Sequence, residues 1–325
     1  MTQPRSQAFW ITAPGTGEIR NETLPAVAPG QLRVRTLYSA VSRGTESLVW
    51  HGRVPASQHQ RMRAPFQAGD FPGPVKYGYS NVGIVEAGPA GWEGQTVFCL
   101  YPHQTRYVVE TPAVHPLPDG LDPALAVLAA NTETALNATW DALPRPGERI
   151  LVVGAGVVGS LTAALCAGIP GTQVSLVDSN PQRAALAQAL GVDFATPDSA
   201  PGHADRIIHA SGSEAGLRLA LDRAADEASI IELSWYGAHA PALPLGEDFH
   251  SRRLTLRSSQ VGQLNPDMRP RWDHARRLDT ALRLLADHPH WAALIDAESA
   301  FAALPDTMAR IANGTGLCHR IRYQE

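Results

Sequence analysis

Glu148 to Asp178 reads ERILVVGAGVVGSLTAALCAGIPGTQVSLVD, and the change of pattern inside this stretch decides the fold. Ile150 to Val153 is a short β-branched and leucine run without polar alternation, which is how a strand buried on both faces reads. The run breaks at Gly154-Ala155-Gly156-Val157-Val158-Gly159, and a helix of small residues follows. In such a G-x-G-x-x-G, Gly154 allows the tight strand-to-helix turn, Gly156 lets the backbone approach a pyrophosphate, and Gly159 lets the helix pack against the strand. The phosphates then sit at the helix N-terminus over the amides around Val157 and Val158, where free N–H groups and the helix dipole favour negative charge. A second apolar run, Val174 to Val177, ends in Asp178, roughly 20 residues beyond the glycines, where a carboxylate accepts hydrogen bonds from a ribose hydroxyl pair. The stretch predicts a complete β-α-β unit for a dinucleotide.

Two plainer readings compete. No charged residue lies between Arg149 and Asp178, as in a membrane span. Against this, Gly154, Gly156, Gly159, Gly168 and Pro170-Gly171 would puncture such a helix, and the pattern changes from strand to helix midway. A chance glycine triplet is the other reading. The strand before it, the helix after it, the second strand and the terminal acid together favour the dinucleotide.

The alternation continues beyond Asp178. Helices are expected at Pro181 to Leu190 and Ala215 to Ala225, and strands at Arg206 to His209 and Ser229 to Ser234, which makes a doubly wound parallel sheet. Before the glycine loop the pattern differs. Gln31 to Leu37 alternates polar and apolar side chains, and Val82 to Glu86, Thr96 to Leu100 and Arg106 to Val109 are short apolar runs between Gly and Pro clusters, the signature of an all-β, partly open barrel. Val54 to Pro74 reads as a surface loop. Pro123 to Trp140 reads as one helix capped by Asp122, Trp272 to Ala286 as another, and His319 to Tyr323 as a strand able to rejoin the first module.

At 325 residues the chain has room for two domains. A hydrophobic share of 44%, a charged share of 18% and a net charge of −4 give no long-range attraction to nucleic acid or to an anionic membrane, so neither is expected as a partner. Met1 to Trp10 carries no apolar signal-peptide run, so the expected location is the cytoplasm. Cys99, Cys166 and Cys318 are scattered, forming neither a disulfide framework nor a C-x-x-C metal site; Cys166 reads as a small buried thiol.

A barrel-like first module, a nucleotide domain in the second half and a tail returning to the first module resemble the medium-chain dehydrogenase/reductase superfamily. The motifs that carry the resemblance are Val82-Gly83-Ile84-Val85 and Gly154 to Gly159. A narrower likeness, to the subgroup that includes the bacteriochlorophyllide hydroxyethyl dehydrogenases and proteins labelled zinc-binding alcohol dehydrogenases, rests on Ser42-Arg43-Gly44-Thr45-Glu46, Tyr101-Pro102-His103, Phe249 to Leu254 and Ser258 to Gly262. The resemblance implies an α/β chain with a GroES-like β-barrel domain at 1–120, completed by 256–325, and a Rossmann domain at 121–255. It also implies a homodimer paired through the edge of the nucleotide sheet, with Ser229 to Leu233 apolar enough to take part.

Zinc members of the superfamily carry ligands at places that fall here on Ser42, on Tyr79 and Ser80 after Gly78, and near Ala130 and Asn131. Hydroxyl and phenol groups are not usual zinc ligands. No metal is therefore expected; the alternative is an atypical site drawn from Glu46, His103 and Glu133. Side chains then handle the proton of an alcohol. His103 is the first choice for acid/base work, because imidazole titrates near neutrality and Pro102 fixes its loop. Tyr79, Glu46, Ser42 and Thr45 join it, although Tyr79 also fits a packing role and Glu46 an ion pair with Arg43 or with Arg252-Arg253. Ser211-Gly212 and Ser234 to Gly237 follow later strands of the sheet and should border the nicotinamide, with Tyr236 near the substrate.

Asp178 favours NAD, because a carboxylate repels the 2′-phosphate of NADP; Arg183 softens that preference, and Ser179 adjoins the ribose. The resulting expectation is a zinc-independent, NAD-preferring oxidoreductase that interconverts a secondary alcohol and a ketone on a small molecule. Enone or quinone reduction, and a non-catalytic nucleotide-binding protein, are the alternatives.

Overall fold

The computed structural model describes residues 5–324. In chain order its elements are β1 (Arg5–Ala13), β2 (Thr16–Thr23), β3 (Gln31–Val41), α1 (Arg43–Trp50), β4 (Ala68–Gly69), β5 (Val75–Lys76), β6 (Asn81–Ala87), β7 (Thr96–Cys99), β8 (Arg106–Glu110), β9 (Val114–Pro116), α2 (Pro123–Ala126) and α3 (Ala129–Ala142). These are followed by β10 (Arg149–Val153), α4 (Val157–Ala167), β11 (Gln173–Val177), α5 (Arg183–Ala189), β12 (Asp193–Ala195), β13 (Ala204–His209), α6 (Glu214–Arg223), β14 (Ala224–Glu232), α7 (Asp248–Ser251), β15 (Thr255–Ser258), α8 (His274–Asp287), β16 (Ile295–Ala300), α9 (Leu304–Asn313) and β17 (Cys318–Arg322). No helix among the described residues is long and apolar enough to cross a membrane.

The chain divides into two compact units. One runs up to Ala130 and takes in Leu282–Pro289 and the residues from Ile295 on; the other is Asn131–Ala281 with His290–Leu294. The divisions fall at Ala130 and Ala281, whereas the sequence reading places its boundaries at 120 and 255. Two elements account for the shift: β15 extends the parallel sheet beyond residue 255, and α2 packs on β3 and β6.

In the second unit β12-β11-β10-β13-β14-β15 form a parallel sheet. Ile150, Leu151, Val152 and Val153 are all buried, as their unbroken apolar run predicts. Leu151 and Val153 pack with Ile207, Ile230 and the α6 residues Leu217 and Leu221. Each such side chain contributes about 1.5–3 kcal/mol on leaving water. Ser213 caps α6 by accepting the Gly216 N–H, so this helix starts at Glu214 and ends at Arg223, while Ala224 and Ala225 belong to the next strand rather than to the helix.

In the first unit β16-β17-β3-β6-β7-β9 form one sheet with β8 also paired to β3, and β2-β1-β5-β4 form another. Leu32, Val34, Val85, Val97, Tyr107 and Val109 fill the barrel. The tail does rejoin this module, with β17 antiparallel to β3. Asp122 caps a helix as expected, accepting the Ala124 N–H at 2.8 Å. The segment expected as one helix is two, however, because the chain breaks between α2 and α3 at Val127 and Leu128, both of which are fully buried. Ser229 to Leu233, expected near the end of the nucleotide sheet, lies largely on β14, one strand in from the edge. β14 is paired on both sides, and the edge strand beside it is β15 with the sequence Thr-Leu-Arg-Ser.

Candidate active site

The glycine loop has the geometry its sequence demands. Gly154 has φ +109°, and a Cβ there would stand 2.7 Å from the Ser211 backbone. Gly159 has no room for a Cβ either, because the Gly154 carbonyl oxygen lies where it would go. Gly156 differs: it caps α4 in an extended conformation, and a Cβ there would meet nothing within 4 Å. An open cradle therefore faces the first turn of α4, where the N–H groups of Val157, Val158 and Gly159 have no acceptor within the helix. Asp178 is fastened to the same loop, its Oδ2 accepting the Ala155 N–H at 2.8 Å and its Oδ1 accepting the Asn180 N–H at 2.8 Å. Ser179 is exposed beside it, and Arg183 opens α5.

At the carboxyl ends of β13 and β14, parallel register sets His209 opposite Glu232. His209 Nδ1 lies 2.7 Å from Glu232 Oε2, and its Nε2 lies 2.6 Å from Ser211 Oγ. Tyr236 donates its hydroxyl to Glu232 at 3.1 Å, and Gly212 donates its N–H to Ser234 Oγ at 3.0 Å. Ser211, Gly212, Ser234 and Tyr236 are thus brought together, held by a His–Glu pair that sequence reasoning missed. Burial, followed by the Glu232 charge, pushes the Tyr236 phenol up.

In the first unit, Ser42, Thr45, Glu46, Tyr79 and His103 form a cluster. Ser42 precedes α1, and Glu46 in its first turn folds back to accept the Ser42 N–H at 2.7 Å. His103 is 1% exposed and both its ring nitrogens are engaged, Nε2 with Glu46 at 3.0 Å and Nδ1 with Ser39 at 2.8 Å. Gly78 makes this possible, since at φ +122° its missing Cβ would lie 2.9 Å from the His103 ring. Tyr79 hydrogen-bonds through its hydroxyl with Ser42 and Thr45, and its pKa is pushed up to about 12 by burial and then by the Glu46 carboxylate. Tyr79 therefore stays protonated at neutral pH and can donate a hydrogen bond to a ligand oxygen. His103 cannot make that contact without giving up a partner. Glu46 pairs with His103, while of the arginines considered as its partner Arg252 binds Asp248 and Arg253 binds Glu227.

Glu133 is paired with Arg277 at 3.0 Å, and both are buried. Arg277 also donates to Asn137 and to the Val261 carbonyl, which fastens the Ser258 to Gly262 segment to α3.

No protein-family model matches the chain. D-guloside 3-dehydrogenase of Escherichia coli K12 is 25% identical over 329 residues, covering 91% of this chain and 93% of that protein. The 2-desacetyl-2-hydroxyethyl bacteriochlorophyllide A dehydrogenase of Rhodobacter capsulatus is 30% identical over 207 residues, covering 58% and 60%. A zinc-binding dehydrogenase of Sinorhizobium meliloti, solved with NADP, superposes with a TM-score of 0.78 at 17% identity, covering 98% of this chain and all of the other. The chain has the medium-chain dehydrogenase/reductase fold.

Where the sequence comparison places zinc ligands, this chain of the medium-chain dehydrogenase/reductase fold presents Ser42, Tyr79 and Ser80. Ser42 and Tyr79 bond each other, and Ser80 donates to the Val127 carbonyl at 2.8 Å. None supplies the thiolate, imidazole or carboxylate that tetrahedral zinc requires. Among the described residues no group of three His, Cys, Asp or Glu side chains is placed to hold a metal ion. The donor set at these positions does not fit the ion. A dinucleotide does fit, on the open cradle at Gly156 and the carboxylate fastened beside it.

Proposed function

We propose that this chain is an NAD(P)-dependent dehydrogenase that interconverts a secondary alcohol and a ketone on a polyhydroxylated substrate without zinc. The observation that carries the reading is the Gly156 cradle: space, helix N–H groups and the Asp178 carboxylate arranged around one loop. When bound, the nicotinamide cofactor supplies the hydride acceptor or donor. Val157, Val158 and Gly159 hold the diphosphate by their N–H groups. Asp178 accepts the ribose hydroxyls, which favours NAD over NADP, with Ser179 and Arg183 at the same edge. Ser211, Gly212, Ser234 and Tyr236 border the ring, held in place by His209 and Glu232.

On the substrate side, Tyr79 donates to the reacting oxygen while Ser42 and Thr45 hold its phenol in place. Its raised pKa suits a hydrogen-bond donor that polarises a carbonyl better than a base that strips an alcohol. Glu46 and His103 act behind Tyr79. The hydroxyl-rich cluster suits a sugar derivative, and the guloside 3-dehydrogenase likeness points the same way. The exposed parallel edge of β15 supports pairing of two copies, which light scattering would test.

The test of the main reading is absorbance at 340 nm with NAD and a panel of glycosides and polyols, set against NADH with enones and quinones. Alcohol oxidation supports the reading. Turnover of enones alone, or binding of NADH with no turnover at all, rejects it.

A further inference from the structure

Tyr77 stands directly after β5, two residues before Tyr79, and Gly78 between them takes a φ of +122°. The Tyr77 ring is 4% exposed and packed from two sides, by Phe71 with ring centres 5.7 Å apart and by Tyr79 at 6.0 Å, nearly edge-on at 82°. Phe71 is backed in turn by His59 at 5.7 Å, so the row fixes the direction of the phenol. The Tyr77 hydroxyl has no hydrogen-bond partner among the described residues, and its oxygen is not sealed from solvent. The other buried tyrosines of this unit are engaged: Tyr107 donates to Asn81 at 3.2 Å, and the Tyr323 hydroxyl lies 2.9 Å from Ser39 Oγ. Tyr79 is held by Ser42 and Thr45.

A hydroxyl drawn this far out of water without a protein partner is costly, and a phenylalanine would fill the same space between Phe71 and Tyr79 without that cost. The cost is removed when a ligand oxygen accepts the bond. Burial, then Tyr79 and Glu46, push the Tyr77 phenol up, so it stands in the field of the substrate cluster and meets a ligand as a neutral donor. Two phenols in ring contact thus serve one cluster, one committed to the reacting oxygen and one with its donor uncommitted. Because the Tyr77 ring is already immobilised, a bond from it costs little conformational entropy.

We propose that Tyr77 is a specificity-determining residue whose hydroxyl donates a hydrogen bond to a second substrate oxygen, on the carbon beside the one that reacts at Tyr79, so that the site selects vicinal diols. Which of the two oxygens reacts rests on the dehydrogenase reading; recognition of the diol does not.

The test uses the full chain with saturating NADH, and trans-1,2-cyclohexanediol and cyclohexanol as probes that differ by one neighbouring hydroxyl. Titration followed by saturation-transfer NMR should show the wild type binding the diol about fivefold to tenfold more tightly than cyclohexanol, the preference expected of one neutral hydrogen bond. Tyr77→Phe keeps the ring between Phe71 and Tyr79 and should lose most of that preference. It should also keep the wild-type melting temperature, because no protein hydrogen bond is removed. With NAD in place of NADH, the ratio of kcat/KM for the diol to that for cyclohexanol should fall by the same factor, carried by KM for the diol. A wild type that binds the diol no better than cyclohexanol, or a Tyr77→Phe protein that keeps the whole preference, overturns the inference. A wild type that prefers the diol through Tyr77 but forms no NADH from either probe upholds the inference and defeats the dehydrogenase reading, so the two failures are distinguishable.

Discussion

Replacing Gly156 by alanine separates cofactor binding from folding more cleanly than any other change in the glycine loop. A methyl group at Gly156 meets no protein atom within 4 Å, and its backbone is extended, so any residue can adopt it. The expected stability cost is the loss of a glycine helix cap, about 1 kcal/mol or less. The methyl group would, however, occupy the space into which the diphosphate must come. Losing close approach to even one N–H group at about 1.4 kcal/mol weakens binding tenfold.

Gly159→Ala behaves oppositely. Its methyl group runs into the Gly154 carbonyl oxygen, and an overpacked buried position costs about 1–3 kcal/mol. In a unit of this size that is about 2–4 °C of melting temperature for each kcal/mol. Calorimetric titration with NADH and a thermal melt on both variants provide the measurement. The account predicts a Gly156→Ala protein that melts within about 3 °C of wild type and binds NADH at least tenfold more weakly. Unchanged affinity in that variant would refute the assignment of the phosphates to this loop.

Three further outcomes follow from the same geometry. Tyr79→Phe should lower kcat/KM about a hundredfold while leaving NADH affinity intact, since it removes the donor to the substrate oxygen and touches no cofactor group; stopped-flow and titration would show the split. Asp178→Ala should raise the ratio of NADPH to NADH affinity, because the charge opposing a 2′-phosphate is gone. Burial pushes the Cys166 and Cys318 thiols up to about 12, so at pH 8 a disulfide reagent should find almost no thiolate in the native protein and label both residues only on unfolding.

What the sequence revealed was local. The β10 run, the glycines and Asp178 lie within one β-α-β unit, and their roles depend on neighbours in the chain. The partner residues were hidden because they are set by register between distant strands. His209 meets Glu232 only because β13 and β14 pair in parallel with those residues opposite, and Ser39 meets Tyr323 only because the last strand lies against β3. His103 stood out as a titratable residue, yet nothing near it in sequence says that both its nitrogens are already engaged. The β1–β2 hairpin escaped notice although β1 follows a buried-exposed alternation in part, and the break between α2 and α3 carries no glycine or proline to mark it. Edge strands β12 and β15, of three and four residues, are too short to show a period.

The central claim is that hydride passes between a bound nicotinamide and a hydroxylated carbon while side chains, not zinc, manage the proton. The most direct measurement is formation of NADH at 340 nm by protein dialysed against a strong chelator and shown metal-free by elemental analysis, with NAD and a panel of glycosides and polyols. The account predicts alcohol-dependent NADH formation at the same rate before and after chelation. Activity that vanishes on chelation and returns with stoichiometric zinc would contradict it.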